Sequence, residues 1–119
     1  MALFTIEVEP EVRDWLRTLP PREFGVVDVH VGNLAEQSHL LRMPLARPLR
    51  EGVQELRFTL PPRQVRITYY FAGDTRIVLL TTFCKTRQNE RDQVNRAIEV
   101  KRICEQSHQP AAHDFSRKG

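Results

Sequence analysis

The chain of 119 residues is long enough for one domain with its own hydrophobic core and short for two. Apolar residues make up 40% of the chain and charged residues 28%, which is typical of a folded globular domain and excludes a disordered one. Two cysteines are too few for a disulfide framework or a cysteine-based zinc site. The first residues are acidic and no apolar run approaches ~18 residues, so we expect a cytoplasmic protein with no membrane contact.

Basic residues are concentrated in the middle of the chain. Residues 40–91 contain nine Arg and one Lys against four acidic residues, whereas residues 1–39 carry a net charge of −4. A local excess of Arg favours a polyanion-binding surface, because the guanidinium grips phosphate with a planar, bidentate fork. A solvated surface whose charges pair locally is the alternative, and charge alone leaves both open.

The first half of the chain predicts one strand followed by two helices. Residues 3–8 alternate apolar and polar side chains, as a short strand does, and Pro10 suits the first turn of a helix. Pro20 ends that helix, since proline lacks an amide and clashes with the preceding turn. Residues 22–41 fit a strand or a helix, but strands run only about 3–10 residues, so we predict a helix. The apolar stripe of the first helix is Val12, Trp15, Leu16 and Leu19.

The second half of the chain predicts a loop and three consecutive strands. Residues 42–52 contain two Pro and a Gly, which favours a loop. Three runs with strand patterns follow, at 53–60, 64–71 and 77–84, and the breaks between them are short enough for antiparallel hairpins. The third run is apolar on both faces at its start, as expected of a central strand.

The pattern after residue 88 predicts one more helix and a tail. Asn89 is a suitable N-cap for that helix, and residues 109–119 contain little that could be buried. We therefore expect one domain over residues 1–108 and a flexible tail over 109–119. The predicted fold class is α+β, with helices on one face of an antiparallel sheet and the other face partly open.

Two arginines are predicted to face each other on that open face. If Phe58 lies opposite Val65 in the core, then Arg57 lies opposite Arg66 on the reverse side. Directly opposed side chains are ~4.5–5.5 Å apart at Cβ, where like charges repel, so an anion between the two guanidiniums is expected. A phosphate is one candidate for that anion. A carboxylate of the chain itself, such as Glu55, is the other.

Further candidates lie near this pair. Tyr70 shares the face in the predicted pairing and could stack on a base, although a surface tyrosine chosen for strand propensity is as good an interpretation. The cations Lys85, Arg87 and Arg91 follow the third strand and surround the start of the last helix. No Gly-rich phosphate loop, CxxC, HExxH or GxSxG motif is present, so we expect neither a metal nor a cofactor.

Three segments of the chain together resemble a known protein family. The segments LLRMPLARPLREGVQELRF, VRITYYFAGDTRIVLLTTFCKTRQN and ERDQVNRA are similar, in this order, to the HigB-like, phage-derived branch of the RelE/ParE toxin superfamily. They cover about half of the chain. The resemblance implies a RelE-like fold, with an N-terminal strand and helical hairpin on a small antiparallel sheet and a C-terminal helix.

The resemblance also implies a function. Such toxins cleave mRNA without a metal, mostly on the translating ribosome, and are silenced by a cognate antitoxin, here expected to be a helix-turn-helix protein. The positions that match the family's catalytic cations are Arg57, Arg66 and Lys85. Thr86 stands where the family usually has a second lysine, and Arg87 follows it. The acid/base near the C-terminus has no clear match, with His108 a weak candidate.

Two other functions remain open from the sequence. A ParE-like relative would inhibit a protein target such as gyrase without catalysis, and a relative that lost its activity would only bind RNA. The Glu-Leu-Arg and Phe-Cys-Lys segments favour the endoribonuclease over the protein inhibitor.

Overall fold

A computed structural model of the chain describes residues 4–37, 46–73, 75–84, 90–107 and 113–114. Within these ranges the chain forms three helices and six strands. In chain order they are β1 (Thr5–Val8), α1 (Pro10–Arg17), α2 (Pro21–Gln37), β2 (Ala46–Pro48), β3 (Gln54–Leu60), β4 (Arg63–Ala72), β5 (Arg76–Cys84), α3 (Glu90–Ser107) and β6 (His113–Asp114).

All six strands join one sheet in the order β2-β3-β4-β5-β1-β6. Strands β2 to β5 are antiparallel neighbours, which confirms the three predicted strands and their hairpins. Strand β1 pairs in parallel with β5, so the sheet is mixed. The predicted α+β class is confirmed. Alternation within residues 3–8 predicted a strand, but it carries no information on which strand would be its neighbour.

The two N-terminal helices cover one face of the sheet. Val12 and Leu16 of α1 and Leu34 of α2 are buried against apolar residues of the sheet. Pro10 occupies the first turn of α1, and α2 extends over most of the ambiguous segment, which confirms both helices. The sheet contributes to this core with alternate residues of its strands, Leu56, Phe58 and Leu60 of β3 among them.

Helix α3 covers part of the opposite face, which corrects the expectation that all helices lie on one side. Ala97 and Cys104 of α3 are buried against Tyr70, Val78 and Leu80 of the sheet in a second apolar cluster. The central strand β5 is buried on both faces for this reason. None of the helices in the described ranges is long and apolar enough to cross a membrane.

Two segments differ from their predicted structure. The expected loop at 42–52 contains the edge strand β2, a three-residue strand that ends in a proline, as edge positions allow. In the expected tail, His113 and Asp114 pair with Val8 and Glu7 of β1. The other residues of 109–119 and the proposed N-cap Asn89 lie outside the described residues, and the flexibility of the tail stays a prediction.

Candidate functional site

The predicted pairing of the two arginines is confirmed. In the hairpin of β3 and β4, Phe58 lies opposite Val65 and Arg57 lies opposite Arg66. Two pairs further along the hairpin, and so on the same face, Glu55 of β3 has a neighbour on each side, Arg47 of β2 and a threonine of β4. Because paired residues point to the same face, the four charged side chains lie together on the face that α3 partly covers.

A carboxylate of the chain lies between the two guanidiniums. Glu55 Oε1 is 3.6 Å from Arg66 Nε and 3.8 Å from Arg57 Nε. The Glu55 side chain has no exposed surface, and neither of its oxygens accepts a hydrogen bond within the described residues. The alternative in which Glu55 neutralises the pair is therefore the one observed.

The two arginines differ in exposure, which corrects the expectation that both lie on an open face. The Arg66 side chain is 6% exposed and the Arg57 side chain is 21% exposed. Neither guanidinium forms a hydrogen bond with another described residue. Arg57 is thus the more accessible of the two, and both retain donors that an anion could occupy.

Burial and mutual charge shift the pKa values in this cluster. Loss of hydration raises the pKa of Glu55, and the positive charges of Arg66, Arg47 and Arg57 act against that rise. Burial lowers the pKa of Arg66, and the like charge of Arg57 lowers it further. Both shifts show that burial disfavours the charged forms of Glu55 and Arg66. Titratable groups with pKa values shifted in this way are frequent at functional sites.

A groove of about 650 Å³ adjoins the cluster between β2 and the first half of α3. Arg47 belongs to both, and its Nη1 is 3.9 Å from Glu90 Oε1 at the start of α3. Arg50 donates a hydrogen bond to the Asn95 side chain across the groove. The lining combines three arginines, a glutamate, an asparagine and three apolar side chains: Arg47, Pro48, Leu49, Arg50, Glu90, Arg91, Val94 and Asn95.

Buried hydrogen bonds fix the strands beneath the cluster. The hydroxyls of Thr68 and Thr81 are 2.6 Å apart, and the Thr81 amide donates to Thr68 Oγ1 at 3.1 Å, beside a bulge between Thr68 and Tyr69. The Thr82 amide donates to Glu11 Oε2 of α1 at 3.0 Å. Strands held in this way place the arginines on a rigid base, as precise positioning requires.

The structure corrects the place of Tyr70. Its ring lies between the sheet and α3 and is 5% exposed, and its hydroxyl donates to Cys104 Sγ at 3.2 Å. Lys101 Nζ lies 5.2 Å from the centre of the ring, and burial raises the pKa of the hydroxyl. Tyr70 is on the predicted face, but α3 covers it there, so the ring is not available for stacking on a base.

The remaining candidates divide into described and undescribed positions. Arg91 is exposed and lines the groove. Lys85, Arg87 and His108 lie outside the described residues, so their roles stay predictions. No group of three His, Cys, Asp or Glu side chains within the described ranges could hold a metal ion.

Sequence reasoning missed the groove residues Arg47, Arg50 and Asn95. The first two lie in the segment expected to be a loop, where no alternation marks a strand. The signal that could have located Arg47 and Arg50 is Pro48, since a proline four residues before the turn-forming Gly52 is compatible with an edge strand.

Three comparisons with known proteins bear on this chain. A family model described as phage-derived protein Gp49-like (DUF891) matches residues 14–102. No curated protein sequence matches the chain. Among solved structures, the chain resembles a chain of the toxin–antitoxin complex RelBE2 of Mycobacterium tuberculosis, with 24% identity and a TM-score of 0.53 over 71% of this chain and 100% of that one. It also resembles a free arginine-to-alanine mutant of the E. coli toxin RelE, with 17% identity and a TM-score of 0.56 over 87% of this chain and 99% of that one. These likenesses show the fold.

Proposed function

The chain belongs to the family of phage-derived Gp49-like proteins, and from this membership and its fold we propose that it is the toxin of a toxin–antitoxin pair and cleaves mRNA. The HigB-like branch of the RelE/ParE superfamily is the place we propose for it. The two solved structures with this fold are described as a toxin–antitoxin complex and as a toxin. That description supports a toxin role and a cognate antitoxin as partner.

The observation that carries the proposal is the opposed pair Arg57 and Arg66, which Glu55 and its register partner Arg47 connect to a groove lined by further arginines. Both guanidiniums point to one face from adjacent strands, and neither donates a hydrogen bond to a described residue. Arg47 and Arg91 extend the positive charge into the groove. Phosphates of a single RNA strand could follow this line of charge, with one phosphate held by the terminal nitrogens of Arg57 and Arg66, on the side away from Glu55.

RNA supplies its own nucleophile, so the protein needs to align a phosphate and stabilise charge. The 2′-oxygen attacks the adjacent phosphorus as the bond to the 5′-oxygen breaks, leaving a 2′,3′-cyclic phosphate and a 5′-hydroxyl. Arg57 and Arg66 would stabilise the dianionic transition state. The 2′-hydroxyl gives its proton to water, and the leaving oxygen takes one from Lys85 or from water. Arg87 would add positive charge.

The cellular setting follows from the same proposal. A toxin of this class acts in the cytoplasm, where translating ribosomes present the mRNA. Its antitoxin, which we expect to be a helix-turn-helix protein, would cover the groove or hold the toxin away from the ribosome. Co-expression with the product of a neighbouring gene of that class should give a stable complex and restore growth.

Mapping RNA ends after induction tests the activity. We expect expression of the chain to stop growth and to produce new 5′ ends inside coding regions. Arg57→Ala should abolish both effects and leave a folded protein. The matched control is Arg102→Ala, because Arg102 is 62% exposed on α3 and, among the described residues, pairs only with Glu99 one turn away. Growth arrest with DNA damage and no new RNA ends would instead indicate a non-catalytic inhibitor of a protein such as gyrase.

A further inference from the structure

The least expected group in the cluster is the Glu55 carboxylate. It has no exposed surface and no hydrogen bond from a described residue, although a buried carboxylate normally accepts several. The charged groups that face it come from four elements: Arg47 of β2, Arg57 of β3, Arg66 of β4 and Glu90 of α3. Burying a carboxylate in this way costs hydration free energy, so we looked for a role that explains its presence. Holding the arginines beside it is such a role.

We propose that Glu55 is a positioning residue, which holds Arg57 and Arg66 in the geometry that stabilises the transition state and does not itself touch RNA. This inference rests on the proposed endoribonuclease activity. Glu55 acts through the two guanidiniums, because its complete burial keeps it from contact with a substrate.

The contact geometry supports that division of labour. In each ion pair the arginine nitrogen nearest to Glu55 is Nε, on the inner edge of the guanidinium. The terminal nitrogens of both arginines therefore lie farther from the carboxylate than Nε does. A guanidinium offers five donors, so one held through Nε can still present its terminal groups to phosphate. Glu55 thus restrains the arginines without occupying the donors that a phosphate would use.

Removing the charge of Glu55 should affect binding and catalysis in opposite directions. With Glu55 ionised, the five charged groups Arg47, Glu55, Arg57, Arg66 and Glu90 carry a net charge of +1. Replacing Glu55 by the neutral Gln raises this net charge to +2, so the attraction of the cluster for phosphate does not fall. The guanidiniums lose the group that opposes their mutual repulsion, and displacements of about 1 Å can reduce a rate about a hundredfold. Catalysis should therefore suffer while binding does not.

The pH dependence gives a second signature. Burial raises the pKa of Glu55, so its protonation begins at a higher pH than for an exposed glutamate. The cleavage rate of the natural chain should fall as the pH is lowered through that range. A glutamine at position 55 cannot titrate, so its rate should lack this acidic limb.

The experiment uses Glu55→Gln and Glu55→Asp, with Glu99→Gln on the exposed side of α3 as the control. Three quantities are measured on each protein: the urea midpoint, the Kd for an RNA whose cleaved site carries 2′-deoxyribose, and the single-turnover cleavage rate from pH 5 to 8 on programmed ribosomes. We expect Glu55→Gln to lose about tenfold to a hundredfold in rate, with an equal or tighter Kd and no acidic limb. Glu55→Asp should recover part of the rate and keep the limb.

Other outcomes of this experiment would overturn the positioning role of Glu55. Equal losses in rate, Kd and folded fraction would show that Glu55 only stabilises the fold, which overturns the inference. An unchanged rate in Glu55→Gln also overturns it. If Glu55→Gln fails to fold, Glu55→Asp takes its place: a reduced rate with an unchanged Kd and a retained acidic limb supports the inference, and an unchanged rate overturns it. If the natural chain cleaves no RNA in the assay, the proposed activity itself fails, and the inference falls with it.

Discussion

Replacement of Arg66 by alanine should destabilise the fold, because it removes a partner of the buried Glu55. At 3.6 Å, with an effective dielectric constant of about 20, one such pair is worth about 4–5 kcal/mol of Coulomb energy. Breaking a buried pair from one side typically costs about 3–5 kcal/mol. Arg57 and Arg47 remain beside Glu55 and partly compensate its charge, so we expect a smaller cost, about 2–4 kcal/mol. Total unfolding free energies are only about 5–15 kcal/mol, so the loss will be readily visible.

A double-mutant cycle separates this effect from lost packing. Urea unfolding followed by circular dichroism gives the unfolding free energy of the natural chain, Arg66→Ala, Glu55→Gln and the double variant. The double variant should be more stable than Arg66→Ala alone, because it no longer contains the under-compensated carboxylate. The exposed Arg102→Ala should change stability by at most about 0.5 kcal/mol. A natural midpoint in Arg66→Ala, or strictly additive effects, would refute the reasoning from burial.

Three further predictions concern groups around the site. Tyr70→Phe removes only the hydroxyl that donates to Cys104, so stability should fall by about 0.5–1.5 kcal/mol and RNA cleavage should not change; a loss of cleavage in a folded protein would restore Tyr70 as an RNA contact. His30 stacks on Phe58, and burial lowers its pKa below 6.5. The folded protein therefore favours the neutral imidazole, and the stability that His30 contributes is present above that pH and is lost as the pH falls below it. In thermal melts at decreasing pH, His30→Gln should lack this part of the fall in melting temperature. Glu11→Ala removes the acceptor of an amide of β5 and an ion pair to α3, and should cost about 1–3 kcal/mol in urea unfolding.

The paired arginines could be predicted from sequence because the hairpin leaves little freedom. Side chains alternate with a period of two, and the short Pro61-Pro62 connection fixes which residues face each other. Placing Phe58 opposite Val65 therefore placed Arg57 opposite Arg66. The same alternation put Glu55 on the face of Arg57, which is why it could be weighed as the neutralising group.

The errors came from contacts between elements that are distant in sequence. Alternation predicted the face of Tyr70 but not that α3 would cover it. The apolar pattern of α3, which includes Ala97 and Cys104, predicts a buried helix face but not the part of the sheet on which that face packs. The three-residue strand β2 is too short to show a period, so alternation could not locate the groove beside it.

Arg57 and Arg66 are the proposed phosphate site at which RNA is cut. The most direct measurement is cleavage of one defined message on programmed ribosomes by purified natural chain, Arg57→Ala and Arg57→Lys, with 5′ ends mapped by primer extension. We expect discrete cuts by the natural chain and about a hundredfold or greater loss of rate with alanine. Lysine should restore only part of the activity, because an ammonium cannot reproduce the bidentate grip. Full cleavage by a folded Arg57→Ala protein would contradict the claim.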